Sequence, residues 1–158
     1  MIDDLDLKIL RNLGGDGREP ILNLAKRLGV PNSTVRQRIK RLTDMGVIHF
    51  SCEVDPKFFT HLLLVFVGIM APRKHRAQLD ELYAIPHVQY VSSTTGKYDY
   101  IALVAAPSPK VLVEIIYTID DIEGVEHTES FLTLENDGLF LKCDRFSKIY
   151  ENHRNADD

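Results

Sequence analysis

Residues 22–48 read LNLAKRLGVPNSTVRQRIKRLTDMGVI, and the apolar positions in this stretch recur at helical rather than strand spacing. At 3.6 residues per turn Val35, Ile39 and Leu42 share one stripe and face a core, which turns Ser33, Thr34, Arg36, Gln37, Lys40 and Arg41 outward. Ahead of them Leu22, Leu24, Ala25 and Leu28 form a second apolar stripe. The hinge between the two stripes is Gly29-Val30-Pro31, whose glycine supplies the left-handed turn that a tight helix junction needs. Two short helices thus share one small core, with the second presenting a polar, basic face.

No acidic residue interrupts the chain from Asn23 to Thr43. A basic amphipathic helix is commonly just a solvated surface helix. Here the preceding helix and the short glycine hinge complete a helix-turn-helix, and the segment Gly46 to Val54 reads as a strand, either a wing or an exit linker. Such a face suits DNA, because Lys and Arg displace counterions from phosphates while Gln and short hydroxyl side chains reach base edges. The candidate DNA-binding residues are Asn32, Ser33, Thr34, Arg36, Gln37, Arg38, Lys40 and Arg41, with Arg38, Lys40 and Arg41 assigned to phosphates and Ser33, Thr34, Arg36 and Gln37 to bases.

The net charge of −4 is unevenly distributed: residues 1–60 carry +2 and residues 61–158 carry −6. An acidic second half is a poor partner for a phosphate backbone, so DNA binding and a second task are expected on separate domains. The expected division is a helix-turn-helix domain over 1–50, a linker strand and hinge over 51–61, a second domain over 62–135, and an extension over 136–158.

A first helix is expected from an N-cap at Asp4 through Leu5, Ile9, Leu10 and Leu13 to Gly14-Gly15. From Leu62 to Ala71 the run LLLVFVGIMA reads as a strand buried on both faces, ended by Pro72. Leu79, Leu82 and Tyr83 mark a helix up to Pro86; Val88–Thr95 and Tyr98–Ala105 are strands joined at Gly96-Lys97. Pro107-Ser108-Pro109 opens a helix carrying Val111, Leu112, Ile115, Ile116 and Ile119, and Val125–Glu135 is a long final strand. The order β-α-β-β-α-β predicts an α+β protein: a winged helix-turn-helix head followed by a ferredoxin-like βαββαβ domain. Asn136-Asp137-Gly138 is a turn signal, and Leu139–Cys143 is a candidate further strand. The sheet's second face is too apolar to stay bare, which predicts a homodimer, with two recognition helices about 34–36 Å apart on a palindromic operator.

Cys52 and Cys143 have neither CxxC nor metal-ligand spacing and read as packing residues; no metal and no cofactor is expected. The acidic start Met1-Ile2-Asp3-Asp4 is unlike a signal peptide, and the longest apolar run is too short to span a bilayer, so a cytoplasmic protein with no membrane partner is expected. His49, His61, His75, His87, His127 and His153 are scattered singly, and the chain has no nucleophile elbow and no phosphate-binding glycine loop, so it is not read as an enzyme.

In order and spacing, LDLKIL at 5–10, DGR at 16–18, LAKRLGV at 24–30, TVRQRIKRL at 34–42, GVI at 46–48, VDP at 54–56, GKYDY at 96–100 and EGVEHTES at 123–130 resemble the Lrp/AsnC transcriptional regulators. The resemblance spans nearly the whole chain. It implies assembly through the ferredoxin-like half into dimers, tetramers or octamers, with effector amino acids bound where dimers meet. It also implies an effector loop at Gly96, Tyr98 and Asp99, with Phe131, Leu132 and Thr133 facing the same pocket from a neighbouring subunit. In that loop a glycine lets backbone N–H groups approach a carboxylate and an acid pairs with an α-ammonium; the alternative is that Asp99 only stabilises the hairpin and that Phe131 is core or interface. The chain departs from the family at Pro20 and Pro31, where many members have Ser, leaving Asn32 or Ser33 to cap the recognition helix. It departs again at Thr60, in place of a glycine, and after Glu135. Two other readings stay open: a siroheme decarboxylase-like enzyme of the same superfamily, and a metabolite sensor that no longer binds DNA.

Overall fold

The computed structural model describes residues 2–59, 61–72 and 76–145; Thr60, His75 and His153 lie outside them. The chain divides between Ser51 and Cys52 into two units.

The first unit is three helices: α1 (Asp4–Gly15), α2 (Ile21–Leu28) and α3 (Asn32–Asp44). Asp3, not Asp4, caps α1: its carboxylate accepts the Asp6 N–H at 3.0 Å while the Asp6 carboxylate accepts the Asp3 N–H at 3.0 Å, a reciprocal capping box. Ile9, Leu24, Ala25 and Val35 are the buried centre, ringed by Leu5, Leu13, Ile21, Leu28, Val30 and Ile39. Leu22 is half-exposed, because the inward stripe of α2 begins one residue earlier at Ile21. Gly29 takes φ +67°, and its N–H and that of Val30 close the end of α2. The expected side-chain cap of α3 by Asn32 or Ser33 is absent, since Pro31 holds the cap position and its carbonyl accepts the Thr34 N–H at 3.0 Å.

The expected strand Gly46–Val54 shrinks to β1 (Glu53–Val54), which belongs to the second unit and pairs antiparallel with β6 (Leu141–Lys142). Of the two roles open to it, exit linker replaces wing: a strand needs a partner, and the partner here comes from near the other end of the chain.

The second unit is a four-stranded antiparallel sheet, β2 (Leu63–Met70), β3 (Val88–Ser93), β4 (Tyr100–Ala106) and β5 (His127–Leu132), in the order β3-β4-β2-β5. With α4 (Arg76–Ala84) and α5 (Pro109–Asp120) as crossovers, this is the ferredoxin-like plan. Ser108 caps α5 by accepting the Val111 N–H. Period two then sorts the sheet. Val65, Val67 and Ile69 join Ala102, Val104, Leu82, Ile115 and Ile119 in the main core, each side chain of this size contributing about 1.5–3 kcal/mol on burial.

On the opposite face Leu64, Leu103 and Ala105 are covered by the chain's own Leu141, with Val54, Phe59, Leu62 and Leu139 around it. The β6 segment therefore covers part of a face that was expected to be covered by a second copy of the chain. Phe66, Tyr90, Phe131 and Phe140 remain 39–57% exposed. β5 is shorter than the expected Val125–Glu135, its pairing with β2 running from His127 opposite Met70 to Leu132 opposite Val65. Among the described residues no helix is long and apolar enough to cross a membrane.

Candidate nucleic-acid interface and effector site

The α3 face is built by its buried side. Val35 and Leu42 are fully buried and Ile39 is half-buried, so the helix can roll in only one sense. Asn32, Ser33, Arg36, Gln37 and Lys40 are consequently exposed, and Thr34 is half-buried. Lys40 lies 2.8 Å from the Asp44 carboxylate, which raises its pKa, but the pair is solvent-exposed and easily exchanged for another anion.

Arg38 and Arg41 have different surroundings from those the sequence suggested. Both are half-buried and engage the acidic start of α1: Arg38 pairs with Asp3 and with Asp6 at 3.2 Å, and Arg41 pairs with Asp6. Asp6 is itself fully buried. The same two carboxylates that cap α1 therefore clamp α1 to α3 through charge-assisted bonds. The Asp6 N–H and the Arg38 guanidinium hold the Asp3 carboxyl down at about 2.

At the far end of the sheet, the β3–β4 connection runs over residues 94–99 rather than just Gly96-Lys97. Asp99 ties this connection to both neighbouring strands: its carbonyl accepts the Thr94 N–H, its N–H donates to the Ile69 carbonyl and its carboxylate accepts the Ala71 N–H, each at 2.9 Å. Tyr98 is thereby laid flat across Gly68. A Cβ on Gly68 would sit 2.7 Å from the Tyr98 Cγ, so the bare glycine backbone is the floor of the ring's seat. Gly96 does not have positive φ, and a side chain there would meet nothing.

Tyr98 packs edge-on against Phe131, ring centres 6.1 Å apart, and donates its hydroxyl to Glu129. Lys97 Nζ lies 2.8 Å from the same carboxylate and 4.8 Å from the Tyr98 ring centre. The lysine and the tyrosine hydroxyl hold the Glu129 carboxyl below its ordinary range, and Glu129 raises Lys97 in return. Lys97 and Glu129 are missing from the sequence-derived set, although the signal was available: 127, 129 and 131 alternate onto one face of β5, so Glu129 accompanies Phe131.

The six effector candidates do not converge on one spot. Gly96, Tyr98, Asp99 and Phe131 gather around this corner. Leu132, opposite the core-facing Val65, points to the other face of the sheet. Thr133 lies in a separate groove of about 720 Å³ between 56–64 and 133–137. Among the described residues no group of three His, Cys, Asp or Glu is placed to hold a metal.

Comparison with known proteins gives the same two-part division. Residues 2–49 match the family model described as winged helix-turn-helix DNA-binding, and residues 64–136 match the Lrp/AsnC ligand binding domain. The HTH-type transcriptional regulator FL11 of Pyrococcus furiosus is 32% identical over 137 residues, 85% of this chain and 91% of the relative. The structure of AsnC from E. coli aligns with TM-score 0.72 at 29% identity, over 88% of this chain and 96% of that one. The feast or famine regulatory protein of M. tuberculosis, solved in complex with L-methionine, aligns with TM-score 0.75 at 31% identity, over 86% of this chain and 94% of that one.

Proposed function

The chain belongs to the Lrp/AsnC family of transcriptional regulators, and from that premise we propose that it grips duplex DNA with the outer face of α3 and alters that grip when an amino acid occupies the Tyr98 corner. The observation carrying this reading is the exposed Ser33, Arg36, Gln37 and Lys40 on a helix whose opposite side is sealed by Val35 and Leu42. In this reading Ser33, Thr34, Arg36 and Gln37 meet base edges, Asn32 and Lys40 meet the backbone, and Arg38 and Arg41 brace the helix from behind while adding to its positive field.

The effector is an amino acid: the methionine complex of the mycobacterial relative supports this class. Its α-carboxylate and α-ammonium suit the Lys97–Glu129 pair, which already holds opposite charges side by side. Asp99 positions the loop, one of its carboxylate oxygens accepting the Ala71 N–H. A second copy covers Phe66, Tyr90, Phe131 and Phe140, giving a homodimer that addresses a palindromic operator in the cytoplasm, and pairs of dimers extend it to tetramer or octamer. The relatives favour regulator over decarboxylase.

The test is DNA binding with and without each amino acid while sedimentation reports particle size. At least one amino acid is expected to change affinity by about 5-fold or more with a matching change in size. Lys97→Ala abolishes that response and leaves binding without effector intact. Indifference of both readouts to every amino acid contradicts the reading.

A further inference from the structure

Cys52 and Cys143, read from the sequence as packing residues, are not core residues: Cys52 is exposed and Cys143 half-buried. They are also the two cysteines of the chain, and they face one another. The β1–β6 register pairs Glu53 with Lys142 and Val54 with Leu141, which sets Cys52 opposite Cys143 one step on. The Cys143 N–H donates to the Cys52 carbonyl at 2.9 Å, continuing the ladder to that pair. Directly opposed residues of antiparallel strands project to the same side, with Cα atoms about 5.5 Å apart at a hydrogen-bonded pair, inside the range of about 4.4–6.8 Å that a disulfide spans. The Cys52 sulfur is close enough to raise the Cys143 thiol above its ordinary value, with Asp144 and Glu53 adding to the effect.

We propose that Cys52 and Cys143 are an oxidant-responsive thiol pair that closes into an intrachain disulfide between β1 and β6. Cys52, the more exposed, reacts first: its sulfur takes one oxygen from a peroxide, giving a sulfenic acid and the corresponding alcohol or water. The Cys143 sulfur then attacks the Cys52 sulfur, forming the S–S bond and releasing the oxygen as water, so that two thiols are oxidised by two electrons and one peroxide is reduced. Two thiols of a reductant reverse it. Cys52 is the first residue after the DNA-binding unit, so the bond staples the start of the linker to a strand that is distant in sequence. It encloses nearly the whole second unit in one loop, which constrains the unfolded chain.

The test uses the full chain and hydrogen peroxide. Intact mass is expected to fall by two hydrogen atoms, both thiols to resist alkylation until dithiothreitol is added, and the chain to run as a monomer on a non-reducing denaturing gel. The midpoint of thermal unfolding should rise by roughly 5–10 °C on closure. Cys143→Ser should leave Cys52 as a sulfenic acid trapped by dimedone, and Cys52→Ser should show neither adduct nor stabilisation. The proposal is overturned if both cysteines stay alkylatable after peroxide, if the bond forms only between chains, or if Cys52 goes to sulfinic acid with Cys143 untouched.

Discussion

Asp6→Ala lowers the thermal midpoint of the helical head by roughly 10 °C and at the same time makes DNA binding more salt-sensitive. The first effect follows from burial: Asp6 is inaccessible and neutralises Arg38 and Arg41 while completing the cap of α1. Removing it strands the Arg41 guanidinium, leaves Arg38 with Asp3 alone and opens the capping box, and truncating one partner of a buried charge network costs far more than the network's net worth. The second effect follows from what is released. Arg41, freed from its carboxylate, becomes available to phosphates while Arg38 keeps Asp3, and an added phosphate contact steepens the slope of log affinity against log salt by about 0.9.

Acid weakens the same cluster in the wild type through Asp3. The folded-state pKa of Asp3 lies near 2, below its ordinary 3.8, so the contribution of its carboxylate is present above pH 3.8 and is lost as pH falls towards 2. Asp3→Asn flattens that limb of the midpoint-versus-pH curve. An Asp6→Ala variant with unchanged midpoint and unchanged salt slope would show that Asp6 does not hold Arg41 to α1.

Gly68→Ala is the second large effect. The added carbon would lie 2.7–2.8 Å from three atoms of the Tyr98 ring, including Cγ at the root of the ring, so no rotation of a flexible tip relieves it. The ring must leave its seat, taking the hydroxyl away from Glu129 and the edge away from Phe131. Overpacking of this kind costs about 1–3 kcal/mol. Denaturant unfolding checks it, and the double variant Gly68→Ala/Tyr98→Ala separates the contact from the backbone. If the clash is the cause, Gly68→Ala costs little once Tyr98 is gone, a coupling of more than about 1 kcal/mol. Equal cost in both backgrounds would mean that Gly68 matters for another reason. Because Tyr98 shapes the proposed effector corner, the single variant also loses the amino-acid response.

What could be read from the chain was what depends on near neighbours in sequence. Val35, Ile39 and Leu42 announce α3 by their spacing, Gly29 announces the left-handed joint at its front, and the alternation of apolar runs and glycine or proline breaks gives the βαββαβ order. What escaped depends on partners far along the chain. Arg38 and Arg41 carry no sign that their carboxylates lie some thirty-five positions upstream. Gly46–Val54 has strand composition, yet only Glu53–Val54 finds an edge to pair with, and that edge arrives after residue 140. The role of Asp99 turns on a backbone N–H at Ala71, and the seat of Tyr98 on a missing Cβ at Gly68. Residue type suggests each of these groups as functional; only the fold shows which are already occupied.

The division of labour on α3 is tested most directly by titrating duplex DNA with the wild type, Gln37→Ala and Lys40→Ala over a range of salt, using sequences selected by the wild type from a random pool and scrambled controls. Gln37→Ala is expected to lose about 1–3 kcal/mol on selected sequences and little on scrambled ones, while Lys40→Ala weakens both alike and lowers the salt slope by about 1. Wild-type affinity for both DNAs retained by both variants, with the salt slope unmoved, would place the DNA contact elsewhere on the protein.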